Sequence, residues 1–246
     1  MEAIFLLAGL GSRISKLTKN PKCLLKINNE EIILRNLRLL KKYKIKNISI
    51  VLGYRKMVIK KTLMKLKENF NFKFAYNNDY KSKGNSFSLF KGLKKVDSNC
   101  LIFDGDLVFS DKILSNFLKD SFNSSFLVGK TSIKNKECAK VLVDNYGNVK
   151  KTIDKRLIKK KELIDLSFVG EAVGIIKISN RIRKIMLSEF ENFFKNKKNI
   201  GLNWEHFMNY FLVKNPIKYN KTFNSDWIEI DNRNDYYKAV KIFKKK

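Results

Sequence analysis

Runs rich in apolar residues alternate with segments of helical period through the first hundred residues. The runs at 3–7, 48–52, 72–76 and 100–103 predict strands, and the segments 31–44, 54–69 and 86–95 predict helices. Strands joined by helices of that length pair in parallel through right-handed crossovers, and such sheets hold their ligands at the carboxyl ends of the strands. After Asp106 the pattern changes. The runs 125–131, 140–143 and 148–153, with Asn145-Tyr146-Gly147-Asn148 as the turn before the last, predict a hairpin region, and 172–178 a further strand. Helical period returns at 181–195 and 204–213, followed by a strand at 227–230 and a closing helix. With two Pro, 11 Gly and no linker, repeat or low-complexity tract beyond Lys244-Lys245-Lys246, the pattern predicts one α/β domain over residues 1–246 on a mixed, mostly parallel sheet.

Composition narrows the class. Hydrophobic residues make up 44% of the chain and aromatics 12%, enough apolar material to offset the ordering entropy of a globular fold. The 52 basic residues against 23 acidic ones give a formal charge of +29, which raises the question of a polyanionic partner. Only eight of those residues are Arg, whereas base and phosphate readout favours the guanidinium fork. The Lys are dispersed among many Asn and Ile, as drift toward AT-rich codons produces, and no nucleic-acid-binding module is recognisable. The expectation is no specific nucleic-acid partner, with nonspecific attraction of anions as the alternative use of the charge.

Cys23, Cys100 and Cys138 are odd in number and unpatterned in spacing, which fits neither a disulfide framework nor a zinc cluster and predicts a reducing compartment. The first residues, Glu2 and a short apolar run to Gly9, lack the basic region and length of a signal peptide, and no apolar stretch approaches the ~20 residues that span a bilayer. A soluble, cytoplasmic protein is expected, without a membrane and as a monomer or homodimer. His206 is the only histidine, so a His-based triad or multi-His metal site is excluded, and a surface or helix-packing role is expected for it.

Three motifs carry chemistry, each at the end of a predicted strand. Leu6-Leu7-Ala8-Gly9-Leu10-Gly11-Ser12-Arg13 follows the first strand and precedes Pro21-Lys22. Glycines let the backbone approach a phosphate and turn N–H groups toward it, while Arg13 and Lys22 add positive charge; a plain strand-to-helix turn is the alternative. The Gly-Lys-Ser/Thr ending of a Walker loop is missing, and Ile14 stands where a dinucleotide fingerprint needs its third Gly. Asp104-Gly105-Asp106 ends an apolar strand, and carboxylates so placed suit Mg²⁺ bridging nucleotide phosphates, or simply a solvated turn. Trp227-Ile228-Glu229-Ile230-Asp231 lies before the last helix, where Asp231 alone reads as an N-cap.

Together these strings resemble the sugar-phosphate nucleotidylyltransferase superfamily, whose signature Leu-Ala-Ala-Gly-x-Gly-x-Arg, then Leu-Thr, then Pro-Lys is matched by Gly9, Gly11, Arg13, Leu17, Thr18, Pro21 and Lys22. Leu7 replaces the first alanine of that signature and Lys16 a frequent proline. The resemblance implies a three-layer, Rossmann-like (GT-A-like) nucleotidyltransferase fold. It implies that Leu7, Ala8, Gly9, Gly11, Ser12, Arg13 and Lys22 bind nucleotide, with Lys22 and Arg13 catalytic. It further implies that Asp106 and Asp231 hold Mg²⁺, with Asp104 on ribose or a metal-bound water.

Lys83-Gly84-Asn85-Ser86-Phe87-Ser88-Leu89 lies where relatives read the base. It resembles the Asn-x-x-Ser-Leu of choline-phosphate cytidylyltransferases more than the Gly-Thr-Ala of sugar-nucleotide enzymes, which places Gly84, Asn85 and Ser88 on the nucleotide and favours CTP over UTP or dTTP. Asp154-Lys155, in place of Glu-Lys-Pro, and the segment around Glu171 match acceptor-side positions, so Lys155, Glu171 and Trp204 are expected toward the second substrate. Trp204 and Tyr210 also read as core residues at helical spacing. The activity implied is transfer of CMP from CTP to phosphocholine, 2-aminoethylphosphonate or a phosphoglutamine-like acceptor, as in bacterial surface-polysaccharide or capsule decoration. A sugar-1-phosphate enzyme and a basic nucleic-acid-binding protein are the alternatives.

Overall fold

The computed structural model describes residues 1–14, 18–222 and 226–244; Lys16, Leu17 and the terminal Lys245 and Lys246 of the sequence reading lie outside them. The strand β1 (Glu2–Leu7) leads into the glycine loop and two 3₁₀ turns, Ser12–Ile14 and Lys22–Leu24. A short ladder of β2 (Lys26–Ile27) with β3 (Glu30–Glu31) precedes α1 (Ile32–Lys42), and β4 (Asn47–Leu52), α2 (Lys56–Met64), β5 (Asn71–Tyr76), α3 (Asn85–Leu93) and β6 (Cys100–Asp104) follow. All of these larger elements were expected, though α2 stops at Met64, before the predicted end at 69. The short β7 (Leu107–Phe109) and α4 (Asp111–Lys119) were not expected. The helix α4 starts where the Ser110 side chain accepts a hydrogen bond from the Ile113 N–H, and it buries Ile113, Leu114 and Phe117.

The second half holds β8 (Ser125–Gly129), β9 (Lys140–Val143), β10 (Val149–Ile153) and β11 (Ser167–Ile178), then α5 (Asn180–Lys195) and α6 (Trp204–Phe211). It closes with β12 (Lys218–Lys221), β13 (Trp227–Glu229) and α7 (Arg233–Ile242). The main sheet runs β10-β9-β11-β6-β1-β4-β5, with β8 on β11 and β12 on β8. Pairings are parallel through β6-β1-β4-β5 and between β12 and β8, and antiparallel where β11 meets β6, β8 and β9. The sheet is therefore more evenly mixed than the first hundred residues suggest.

Burial alternates along β1 between two cores. Ala3, Phe5 and Leu7 face a cluster with α1, α2 and α4, while Ile4 and Leu6 face a second cluster with α3, α5 and α6. A strand covered on both faces is apolar throughout, which is why residues 3–7 read as a continuous run rather than an alternation. Three layers follow: helices, sheet, helices. A smaller cluster of Ile27, Ile32, Val108, Ile230 and Ala239 seats α7 beside the β7–β13 ladder. Among the described helices none is long and apolar enough to cross a membrane. The three cysteines are free, Cys23 and Cys100 being buried.

Candidate active site

The sheet itself assembles the first two motifs. β1 and β6 are parallel neighbours in register, Leu6 beside Asp104, so the glycine loop and Asp104-Gly105-Asp106 leave adjacent strands at the same end. The third motif arrives by a separate ladder: β13 pairs antiparallel with β7, Glu229 opposite Leu107, and the Ile230 N–H donates to the Asp106 carbonyl at 3.0 Å. The cap of α7 is Asn232, whose side chain accepts from the Asn234 and Asp235 N–H groups while the Asp235 carboxylate accepts from Asn232 N–H. This corrects the N-cap reading of Asp231, and it leaves the Asp231 carboxylate free to face the cleft.

There Asp231 is the hub. Lys22 Nζ donates to Asp106 Oδ2 at 2.8 Å and to Asp231 Oδ1 at 3.1 Å, Arg13 Nη2 reaches Asp231 Oδ1 at 2.8 Å, and Lys155 Nζ reaches Asp231 Oδ2 at 2.9 Å. Gly11 adopts φ +61°, and a Cβ there would stand 2.8 Å from Lys22 Cγ, so a side chain would displace the lysine. Lys155 has a φ of 38°, a conformation that costs a non-glycine residue and persists only where the surroundings fix it.

Charge states follow from these contacts. Burial works against the Lys22 ammonium, but Asp106 and Asp231 outweigh it and raise its pKa. Burial likewise opposes the Asp231 charge, and Lys155 and Lys22 more than offset it, so its pKa is lowered. Glu229 points into the same cluster. Its side chain is exposed to the cleft, where partial loss of solvent, together with Asp106 and Asp231, pushes its pKa up to about 8. Oxygens of Asp106, Glu229 and Asp231 all lie within 4.8 Å of one another. Three hard oxygen donors so closely spaced fit a small divalent cation. The sequence reading did not select Glu229; the signal was its spacing, since residues two apart on a strand share a face and Glu229 stands two before Asp231.

The cluster opens into a cleft of about 1120 Å³. Leu7, Ala8, Gly9, Gly11, Ser12, Arg13, Lys22, Asn85, Ser88, Asp104, Asp106, Lys155, Glu171, Trp204 and Asp231 all line it. Gly84 does not. A Cβ at Gly84 would stand 2.1 Å from the Leu202 carbonyl, and its N–H donates to Ile200, so this glycine is needed for close packing on the segment before α6 and is not a cleft residue. Trp204 is 4% exposed, packs in the core against Phe126 and also lines the cleft. Its backbone N–H donates to Asn85 Oδ1 at 2.6 Å. Tyr210 and His206 are on the surface.

The cleft carries further carboxylates. Asp104 is raised well above its ordinary value by burial and then by Glu229, Asp106 and Glu205, with the Trp204 indole drawing it partway back. Glu205 is pushed up to about 7 by burial and by Asp154, and its Oε2 is buried with no hydrogen-bond partner. Glu171 is raised by burial, against the pull of Cys138, Thr131 and Lys140. Glu205 and Glu229 were not among the residues selected from sequence, and of the Asp154-Lys155 pair only Lys155 was; Asp154, Glu205 and Glu229 all line the cleft.

Comparison with known proteins agrees with this architecture. Residues 3–134 match the MobA-like NTP transferase domain family. The chain is 30% identical to the choline-phosphate cytidylyltransferase of Haemophilus influenzae over 96% of this chain and 95% of that one. It is 27% identical to the choline-phosphate cytidylyltransferase of Streptococcus pneumoniae over 99% of both. The solved structure of the CTP:phosphocholine cytidylyltransferase from Streptococcus pneumoniae superposes with a TM-score of 0.75, at 22% identity over 99% of each chain. With the glycine loop, the strand-end aspartates and the closing strand in one cleft, and the family domain matched over more than half its length, the chain belongs to the MobA-like NTP transferase family and is a nucleotidyltransferase.

Proposed function

We propose that the protein is a CTP-dependent cytidylyltransferase that transfers CMP to a small phosphorylated or phosphonate metabolite bearing a positive charge, of the phosphocholine, 2-aminoethylphosphonate or phosphoglutamine type, with release of pyrophosphate. The observation that carries this reading is which carboxylates of the cleft have a protein cation and which do not. Arg13, Lys22 and Lys155 surround Asp231 and Asp106. Asp104, Asp154 and Glu205 line the same cleft, and among the described residues they have no Lys or Arg nitrogen within 4.0 Å. In a chain with 52 basic residues this is not a shortage of cations. Carboxyls enclosed in a cleft without a protein cation favour a ligand that supplies the counter-charge. The Arg13, Lys22 and Lys155 group suits the triphosphate, and the carboxyls without a protein cation suit the ammonium of such an acceptor, which would favour their ionised form, better than the hydroxyls of a sugar phosphate.

In this reading an acceptor oxygen attacks the α-phosphorus of CTP, the new P–O bond forming as the bond to pyrophosphate breaks in line, with no covalent enzyme intermediate. Lys22, Arg13 and Lys155 hold the phosphates and compensate the charge that develops, the preorganised electrostatic role that dominates such reactions. Asp106 and Asp231, with Glu229, would hold Mg²⁺, which supplies Lewis-acid polarisation of phosphate oxygens. The glycine loop brings backbone N–H groups to the phosphates.

A pyrophosphate-release screen of CTP, UTP, dTTP, ATP and GTP against phosphocholine, 2-aminoethylphosphonate, phosphoglutamine and glucose 1-phosphate tests the proposal. CTP with one of the amine-bearing acceptors is expected to turn over fastest. Equal or better turnover of UTP or dTTP with the sugar phosphate would move the protein to the sugar-nucleotide branch.

A further inference from the structure

We infer that Asn77 is a positioning residue that sets the hydrogen-bonding polarity of Ser88, so that the Ser88 hydroxyl donates to the N3 of cytosine and thereby disfavours uracil. The inference rests on the CTP reading above. Asn77 follows β5, is 1% exposed and does not line the cleft. Its Nδ2 donates to the Lys83 carbonyl at 3.2 Å and to Ser88 Oγ at 3.0 Å. A carbonyl can only accept, so Lys83 fixes which end of the Asn77 amide points inward, and Ser88 must accept from it. Asn77 Oδ1 is left buried without a partner, a cost that the site retains.

Ser88 is 2% exposed and lines the cleft, and among the described residues its hydroxyl proton has no acceptor. That proton is therefore available to a ligand. Asn85, one helical turn earlier, is fixed in the same way: its Oδ1 accepts from the Trp204 N–H, which can only donate, so its Nδ2 is the end left for the cleft. The two side chains present two donors. Cytosine offers two adjacent acceptors, O2 and N3, whereas uracil carries a proton on N3. To take that proton Ser88, itself only 2% exposed, would have to leave its own without an acceptor, and a site built for one hydrogen-bonding pattern rejects the opposite one strongly.

The experiment measures kcat/KM for CTP and for UTP with one acceptor in the wild type, Asn77→Asp and Ser88→Ala. Asp at position 77 keeps the size; buried against the Lys83 carbonyl it keeps a proton for that carbonyl and offers its other oxygen to Ser88 as an acceptor, so the Ser88 proton turns inward and a lone pair faces the base. The CTP-to-UTP ratio is expected to fall at least about tenfold in Asn77→Asp, with part of the change as a gain for UTP, and about tenfold in Ser88→Ala through loss with CTP alone. An equal loss with both nucleotides in a folded Asn77→Asp would mark Asn77 as merely structural and overturn the inference. Should that variant not fold, an unchanged ratio in Ser88→Ala overturns it instead. A wild type without preference for CTP is a separate result: it sinks the cytidylyltransferase reading itself, and this inference with it.

Discussion

Lys22 Nζ stands 2.8 Å from Asp106 Oδ2, joining residues 84 positions apart, and the same ammonium continues to Asp231 at 3.1 Å. The lysine is 14% exposed and its stem crosses Gly11, so it is held rather than swinging freely. Replacing Lys22 by Ala is expected to lower kcat/KM by about two orders of magnitude or more, the scale of losing one charge-stabilising donor. The side chain belongs to none of the apolar clusters, so circular dichroism and thermal melting should report a folded protein. Near-normal activity in that folded variant would refute its role.

The carboxylates on either side of Lys22 should behave as one unit. In Asp106→Asn or Asp231→Asn a neutral amide replaces a hard oxygen ligand poorly, so each substitution is expected to abolish most turnover and to raise the Mg²⁺ concentration required. The double variant should be little worse than either single one, since groups that act together are non-additive. Multiplicative losses in a steady-state comparison of the three would mean that the two aspartates work independently.

How much of this was legible beforehand depended on whether the signal was local. The strand at 3–7 and its loop announce themselves, because burial on both faces makes the run continuous and Gly9 and Gly11 punctuate it. Asp106 stands at an obvious strand end. Asp231 could be placed only through the family likeness, because the contact that brings it in, the β7–β13 ladder, joins three-residue strands too short to show a period. Glu229 is exposed on that strand, and only the ladder shows that it is exposed to the cleft. The packing role of Gly84 escaped for a related reason: its close approach is to the backbone at 201–202, far along the chain, which no local pattern reveals. The helix α4, with two turns and three core residues, fell below the length at which its period stands out.

The excess of positive charge should not act as a nucleic-acid footprint. Binding of DNA or RNA measured by fluorescence anisotropy is expected to be weak, independent of sequence and largely gone by about 200 mM salt, as counterion release dictates for dispersed lysines. Tight binding with a sequence preference at that salt concentration would revive the alternative that the charge serves a polyanion.

Glu229 links metal, pH and stability. Its pKa rises from an ordinary 4.5 to about 8 in the folded protein, by burial first and then by Asp106 and Asp231. A carboxyl that holds its proton more tightly when folded contributes stability that is fully present below the unfolded value and lost as pH climbs toward the folded one. Without metal, the melting temperature of the wild type relative to Glu229→Gln is therefore expected to decline between about pH 5 and pH 9, because the glutamine stays neutral throughout. A cation at this cluster competes with that proton, so Mg²⁺ affinity measured by titration calorimetry should increase over the same interval, with proton release. In the wild type, saturating Mg²⁺ should recover the stability lost at the alkaline end, and in Glu229→Gln the recovery should be smaller because one ligand is gone. A melting difference that does not change with pH, or Mg²⁺ binding equally tight at both ends of the range, would show that Glu229 is ionised throughout and that its enclosure by Asp106 and Asp231 does not govern the site.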